Sequence, residues 1–234
     1  MITNLIRRGL YALPLSGVLT ALPWLFIMTR STDLKRDPEA YARGLISASH
    51  VLGGYLYLAG LISLLFGVLA LYGVLAGSRR GGLAAVGMIF SVVAVAMLLS
   101  VVGILLLAQA VLADVYLAGN KDVAEALTQL SGGTLSNRIT TYIGVLLAVA
   151  LVGAIANGFA VWQSGRLPKW AGVVTAVGFV LSVTLTPGVA WLGALGLIVG
   201  GLWLARDATR GPVAAGTSDS TERPNTHVAS ASAS

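Results

Sequence analysis

Every Asp, Glu, Lys and Arg of this chain lies outside five long stretches: Gly9 to Thr29, Gly44 to Ser78, Gly81 to Ala113, Ile139 to Gly165 and Trp170 to Ala205. They are 21, 35, 33, 27 and 36 residues long, and a helix that crosses a bilayer needs about 20 apolar residues. A fixed charge at the centre of such a helix costs ~2.5 to 3.5 kcal/mol even on a lenient insertion scale. The exclusion of charge therefore marks an all-α integral membrane protein whose main partner is the lipid bilayer. Composition agrees: only 10% of residues are charged, against about 25% in soluble domains.

Five stretches need not mean five helices. The last is too long for one span, and Thr186-Pro187-Gly188 at its middle joins two strong turn formers. The pattern predicts a bundle of six transmembrane helices: Leu10 to Thr29, Val51 to Ala76, Leu83 to Leu107, Thr140 to Trp162, Lys169 to Leu185 and Gly188 to Ala205. Residues 1–206 form one membrane domain. From about Asp207 the chain turns to Thr, Ser, Ala, Gly and Pro, too poor in apolar residues to offset the entropy of ordering, so 207–234 is expected to be a disordered cytoplasmic tail.

Arg7 and Arg8 before an apolar run imitate a secretion signal. The run is longer than a signal core, and no small-x-small site follows Trp24 to Met28, so it is expected to stay as an anchor helix. The second helix should start ahead of the membrane, because Asp37-Pro38-Glu39 offers a cap, a first-turn proline and an acid. The third should overshoot to Gly119-Asn120, followed by a short helix over Asp122 to Leu130 closed by Gly132-Gly133. Pro14 and Pro23 should make the first helix bent or irregular.

Alternate crossings put nine Lys and Arg on the side of the N-terminus and six on the other, together with six of the nine acids. The positive-inside rule then places both termini in the cytoplasm and the protein in the inner, plasma membrane. Tyr11, Tyr72, Trp162, Trp170 and Trp203 fall at the proposed cytoplasmic boundary, and Trp24, Tyr55, Tyr57, Tyr142 and Trp191 at the outer one, as aromatic belts require.

Helices in lipid associate through close backbone approach. Gly193, Gly196 and Gly200, then Ala150, Ala154 and Gly158, then Gly73 and Gly77 mark candidate interfaces, read as packing within the chain rather than as a dimer seam. The oligomeric state is left open.

Chemistry is sparse. With no Cys there is no disulfide, thiolate nucleophile or cysteine metal site. No basic cluster exceeds Arg7-Arg8 or Arg79-Arg80, which excludes a nucleic-acid surface. The fingerprints of serine hydrolases, zinc proteases, P-loops and dinucleotide sites are missing from the sequence, and no catalytic, cofactor or metal residue is assigned. Three polar positions are candidates: Asn157 inside the fourth helix, Gln109 near the outer edge of the third and His50 at the outer end of the second. Interhelical hydrogen bonding is the plainer reading of the first two and a boundary position that of His50; a shared cavity for Asn157 and Gln109 could hold a small polar solute. His227 lies in the tail.

The run Trp162-Gln-Ser-Gly-Arg-Leu-Pro-Lys-Trp170, a basic hairpin leading into two glycine-rich helices, resembles the C-terminal half of certain bacterial six-helix membrane proteins of unknown function. The order of elements is similar over about residues 1–206. The resemblance implies a fold and no activity. The sequence thus points to a non-enzymatic structural, accessory or regulatory membrane component, for which another membrane protein is the expected partner; the rivals are a small-solute or lipid permease and an interfacial enzyme.

Overall fold

A computed structural model describes residues 2–27, 37–78, 81–132, 134–165, 167–184 and 187–210. Among these residues the fold is entirely helical: α1 Ile2–Gly9, α2 Ala12–Ile27, α3 Pro38–Leu45, α4 Ala48–Leu75, α5 Gly81–Leu117, α6 Ala124–Gly132, α7 Thr134–Ser164, α8 Lys169–Ser182 and α9 Pro187–Arg210. Among the described residues four helices are long and apolar enough to cross a membrane, Ala48–Leu75, Gly81–Leu117, Thr140–Ser164 and Gly188–Arg210, while α8 is a shorter apolar helix.

The helices form a closed ring. Going round it, α2 packs on α4, α4 on α5, α5 on α7, α7 on α8, α8 on α9, and α9 returns to α2. Apart from the closure of α9 on α2, ring neighbours are consecutive members of the ring along the chain, and adjacent helices run antiparallel: Gly67 of α4 meets Leu13 of α2 while Gly60 meets Thr20, and Gly201 of α9 meets Leu13 while Gly17 of α2 meets Ala194. The ring is apolar on the outside as well as within: Phe66, Ile89, Ile104, Leu107, Ile155 and Leu192 are all more than half exposed. A water-soluble bundle would bury such side chains, whereas hydrocarbon leaves them at no cost.

Small residues set the approach of the helices. A Cβ placed on Gly196 of α9 would lie 2.7 Å from the Gly178 Cα of α8, and one on Gly60 or Gly67 of α4 would strike Thr20 or Leu13 of α2. The expected stripe Gly193, Gly196, Gly200 faces α8 along its whole length. Ala150 and Ala154 are buried, and Gly158 meets Ala176 of α8. Gly73 meets Ile6 of α1.

Several boundaries depart from the sequence expectation, each for a local reason. The first helix does not begin at Leu10: a short helix α1 precedes it, the chain breaks at Leu10 and Tyr11, and α2 restarts at Ala12. Pro14 has no N–H to offer the carbonyl four residues earlier, and at the break the bonds shorten to three-residue steps, Leu10 N to the Arg7 carbonyl (3.3 Å) and Leu13 N to the Leu10 carbonyl (3.1 Å). Pro14 thus sits in the first turn of α2, and only Pro23 lies in its interior. Residues 28 and 29 of the expected span lie outside the described residues.

The Asp37 cap forms, its carboxylate accepting from Ala40 N at 2.9 Å. The helix it starts is not continuous with the second span, however. The chain breaks at Ile46 and Ser47, and Ser47 caps α4 by accepting from His50 N at 3.4 Å. The third helix does overshoot, ending at Leu117 before Gly119, whose φ of +103° favours glycine. The short helix after it is α6, preceded by a tight turn over Lys121–Val123. α7 starts at Thr134, six residues before the expected boundary. α8 ends at Ser182, and Leu185 and Thr186 fall outside the described residues.

α9 runs to Arg210, past the helix end expected at Ala205. Ala208 packs into the main core, which keeps Asp207 to Arg210 helical although the composition has already turned polar. Residues 211–234, the rest of the expected tail, lie outside the described residues. Of the aromatic belt, Tyr11, Tyr55, Tyr142, Trp162, Trp170 and Trp203 are exposed, but Tyr57 is buried in the ring; Trp24's side chain is outside the described residues.

Beyond one end of the ring α3, the far end of α5 and α6 build a second small core from Ala42, Leu45, Ala113, Tyr116 and Leu127. The outer side of α3 carries the Arg43–Glu39 pair, 3.1 Å apart and exposed, a geometry that adds little stability.

Candidate functional site

The axis of the ring is filled chiefly by Leu13, Leu64, Leu71, Phe179, Leu197 and Leu204, contributed by α2, α4, α8 and α9. They leave a void of about 20 Å³ that Ser91, Asn157 and Thr175 also line, enough for about one water molecule. This is where the buried polar side chains from three helices converge.

Asn157 projects from α7 and donates from Nδ2 to the Ser91 Oγ of α5 at 3.0 Å. Two glycines make room. The Asn157 amide rests against Gly87, one turn before Ser91 on α5, and Ser91 in turn rests against Gly153, one turn before Asn157 on α7. The pair is therefore a reciprocal lock in which each helix supplies a polar side chain and the bare backbone that receives the other. Thr175 of α8 donates to the Ala171 carbonyl at 2.8 Å and packs on Gly200 of α9. Hydroxyls elsewhere in the ring are similarly occupied: Thr20 donates to the Ser16 carbonyl at 2.8 Å, and Ser63 crosses from α4 to the Ala12 carbonyl of α2 at 2.9 Å.

The chemistry available at this place is neutral hydrogen bonding. In lipid such a contact contributes ~0.6 to 2 kcal/mol to helix association, and it fixes the register of α5 against α7. Among the described residues no group of three or more His, Asp or Glu could hold a metal ion.

The structure separates the three positions singled out from sequence. Asn157 is buried at the level of Ser91, whereas Gln109 lies 18 residues further along α5, about 27 Å at 1.5 Å per residue. The two cannot face one cavity. His50 stands half-buried in the first turn of α4, at the same end of the ring as Gln109, because Gly54 one turn later packs on Leu106. His227 lies outside the described residues. Sequence reasoning missed Ser91 and Thr175, since small hydroxyl residues abound in apolar helices. The available signal was the matched spacing of Gly87 with Ser91 and of Gly153 with Asn157. Comparison with protein-family models, curated proteins and solved structures finds no match.

Proposed function

We propose that the chain is a six-span component of the inner membrane, with both termini cytoplasmic, and that it acts as a non-enzymatic structural, accessory or regulatory part. α2 and α8 then complete the crossings begun by the four longer helices. The observation that carries this reading is the closed ring with a packed axis: glycine-backed contacts join every neighbour, and the central void admits about one water. A scaffold of that kind offers its apolar perimeter and its small outer cap to other molecules.

The rival, a small-solute or lipid permease, needs the ring to open at Asn157. The chain has no native cysteine, so an Asn157→Cys variant can be labelled with a water-soluble maleimide without background. Labelling no faster than at Val152→Cys, a position exposed on the outside of α7, supports the scaffold; fast labelling that a transport inhibitor or a closed conformer suppresses supports the permease. Crosslinking from Ala48→Cys and Asn120→Cys at the cap tests for a membrane-protein partner.

A further inference from the structure

On the outer face of the ring, α7 and α8 border an open groove of about 510 Å³, within the ~300 to 1,000 Å³ of small-molecule sites. Its floor is Ala154 and Gly158 of α7 with Ala176 of α8. Its walls are large and exposed, Ile155 at 60%, Phe159 at 53% and Val177 at 52%. All eleven lining residues are apolar.

We infer that this groove holds one acyl chain of an anionic phospholipid from the leaflet on the side of the α7–α8 loop, with the phosphate at Lys169. Depth is the first argument. From Leu151 to Trp162 the groove follows α7 for eleven residue steps, about 16 Å, or half of the ~30 Å hydrocarbon core. That is the reach of one leaflet, whereas a partner helix crossing the bilayer would need contact over twice the depth.

The end at the α7–α8 loop supplies the second argument. Trp162 ends the groove and meets Trp170 edge to face, with ring centroids 5.5 Å apart. The Lys169 ammonium lies 5.7 Å from the centre of the Trp162 ring, so the aromatic pair that marks the headgroup level also fixes a cation there. The loop Gln163-Ser-Gly-Arg-Leu-Pro168 contains no acid. A positive charge at the mouth of a one-leaflet apolar slot complements an anionic headgroup above a single tail. This inference rests on the bilayer reading above and adds a ligand to it.

The test uses full-length protein with Trp24, Trp191 and Trp203 changed to Phe, so that emission comes from Trp162 and Trp170, in phosphatidylcholine vesicles. Chain-brominated phosphatidylglycerol or chain-brominated phosphatidylcholine is added at equal mole fraction as quencher. The expected result is that the anionic lipid quenches at a mole fraction at least threefold lower, and that Lys169→Gln, an exposed change that leaves packing intact, removes the preference. Ala176→Phe, which fills the floor, should remove it too while general quenching persists. Equal quenching by the two lipids, or a preference that survives both variants, overturns the lipid site and leaves the bilayer reading standing. Quenching by neither lipid overturns both.

Discussion

Replacing Gly196 by alanine should loosen the contact between α8 and α9. The new Cβ would lie 2.7 Å from the Gly178 Cα, 3.2 Å from its nitrogen and 3.2 Å from the Val174 carbonyl oxygen. All three are backbone atoms, so no rotamer change relieves the clash, and carbon atoms rest at ~3.5 to 4.0 Å. The helices must part by about 1 Å. Overpacking of this kind costs ~1 to 3 kcal/mol, offset by ~1 kcal/mol from alanine's better helix propensity, for a net loss of up to about 2 kcal/mol. Gly103 on α5 is the control, because a Cβ there meets nothing within 4 Å; Gly103→Ala should be neutral or stabilising by up to ~1 kcal/mol. Reversible unfolding in mixed micelles against a denaturing detergent, followed by tryptophan emission, measures both. Equal stability of the two variants would refute the argument that backbone contact sets this interface.

Asn157→Ala and Ser91→Ala should each destabilise the ring, and their double-mutant cycle should give a coupling of ~0.6 to 1.7 kcal/mol; a coupling near zero in the same assay would mean the 3.0 Å hydrogen bond contributes nothing. Asp37→Ala should cost α3 ~1 kcal/mol through loss of its cap, seen as faster amide exchange over Pro38–Leu45 with α4 unchanged. Burial raises the Tyr41 hydroxyl above the ordinary tyrosine value, so its neutral form is favoured in the folded cap. That contribution is complete below the unfolded pKa of ~10 and is lost as pH climbs through the folded value. Tyr41→Phe should therefore lose less stability than the parent between pH 9 and 11.

Fold and site were unequally legible in the sequence. The exclusion of charge located the apolar body of each long helix, because the penalty for charge in hydrocarbon acts on every span alike, but it left the ends of α5 and α7 ten and six residues short. Helix breaks were harder to read: Ser47 ends one helix and caps the next, yet its type is common in membrane helices, and Pro14 acts on the carbonyl of Leu10 rather than at its own position. The last helix outruns its expected end at Ala205 for a tertiary cause, since Ala208 packs into the core while its neighbours read as tail. Asn157 was evident as the polar residue of its span, but Ser91 and its glycine seat on α7 are set by the register of two helices more than sixty residues apart, which no local pattern carries.

A cysteine-free chain permits one direct test of the crossings. Single cysteines at Asn4, Ser78, Gly165 and Arg210 should all react with an impermeant maleimide from one face of intact membrane vesicles, and those at Ala48, Asn120 and Gly188 only from the other. Asn4 and Arg210 reacting from opposite faces, or Ser78 and Asn120 from the same face, would contradict a chain that crosses the bilayer six times.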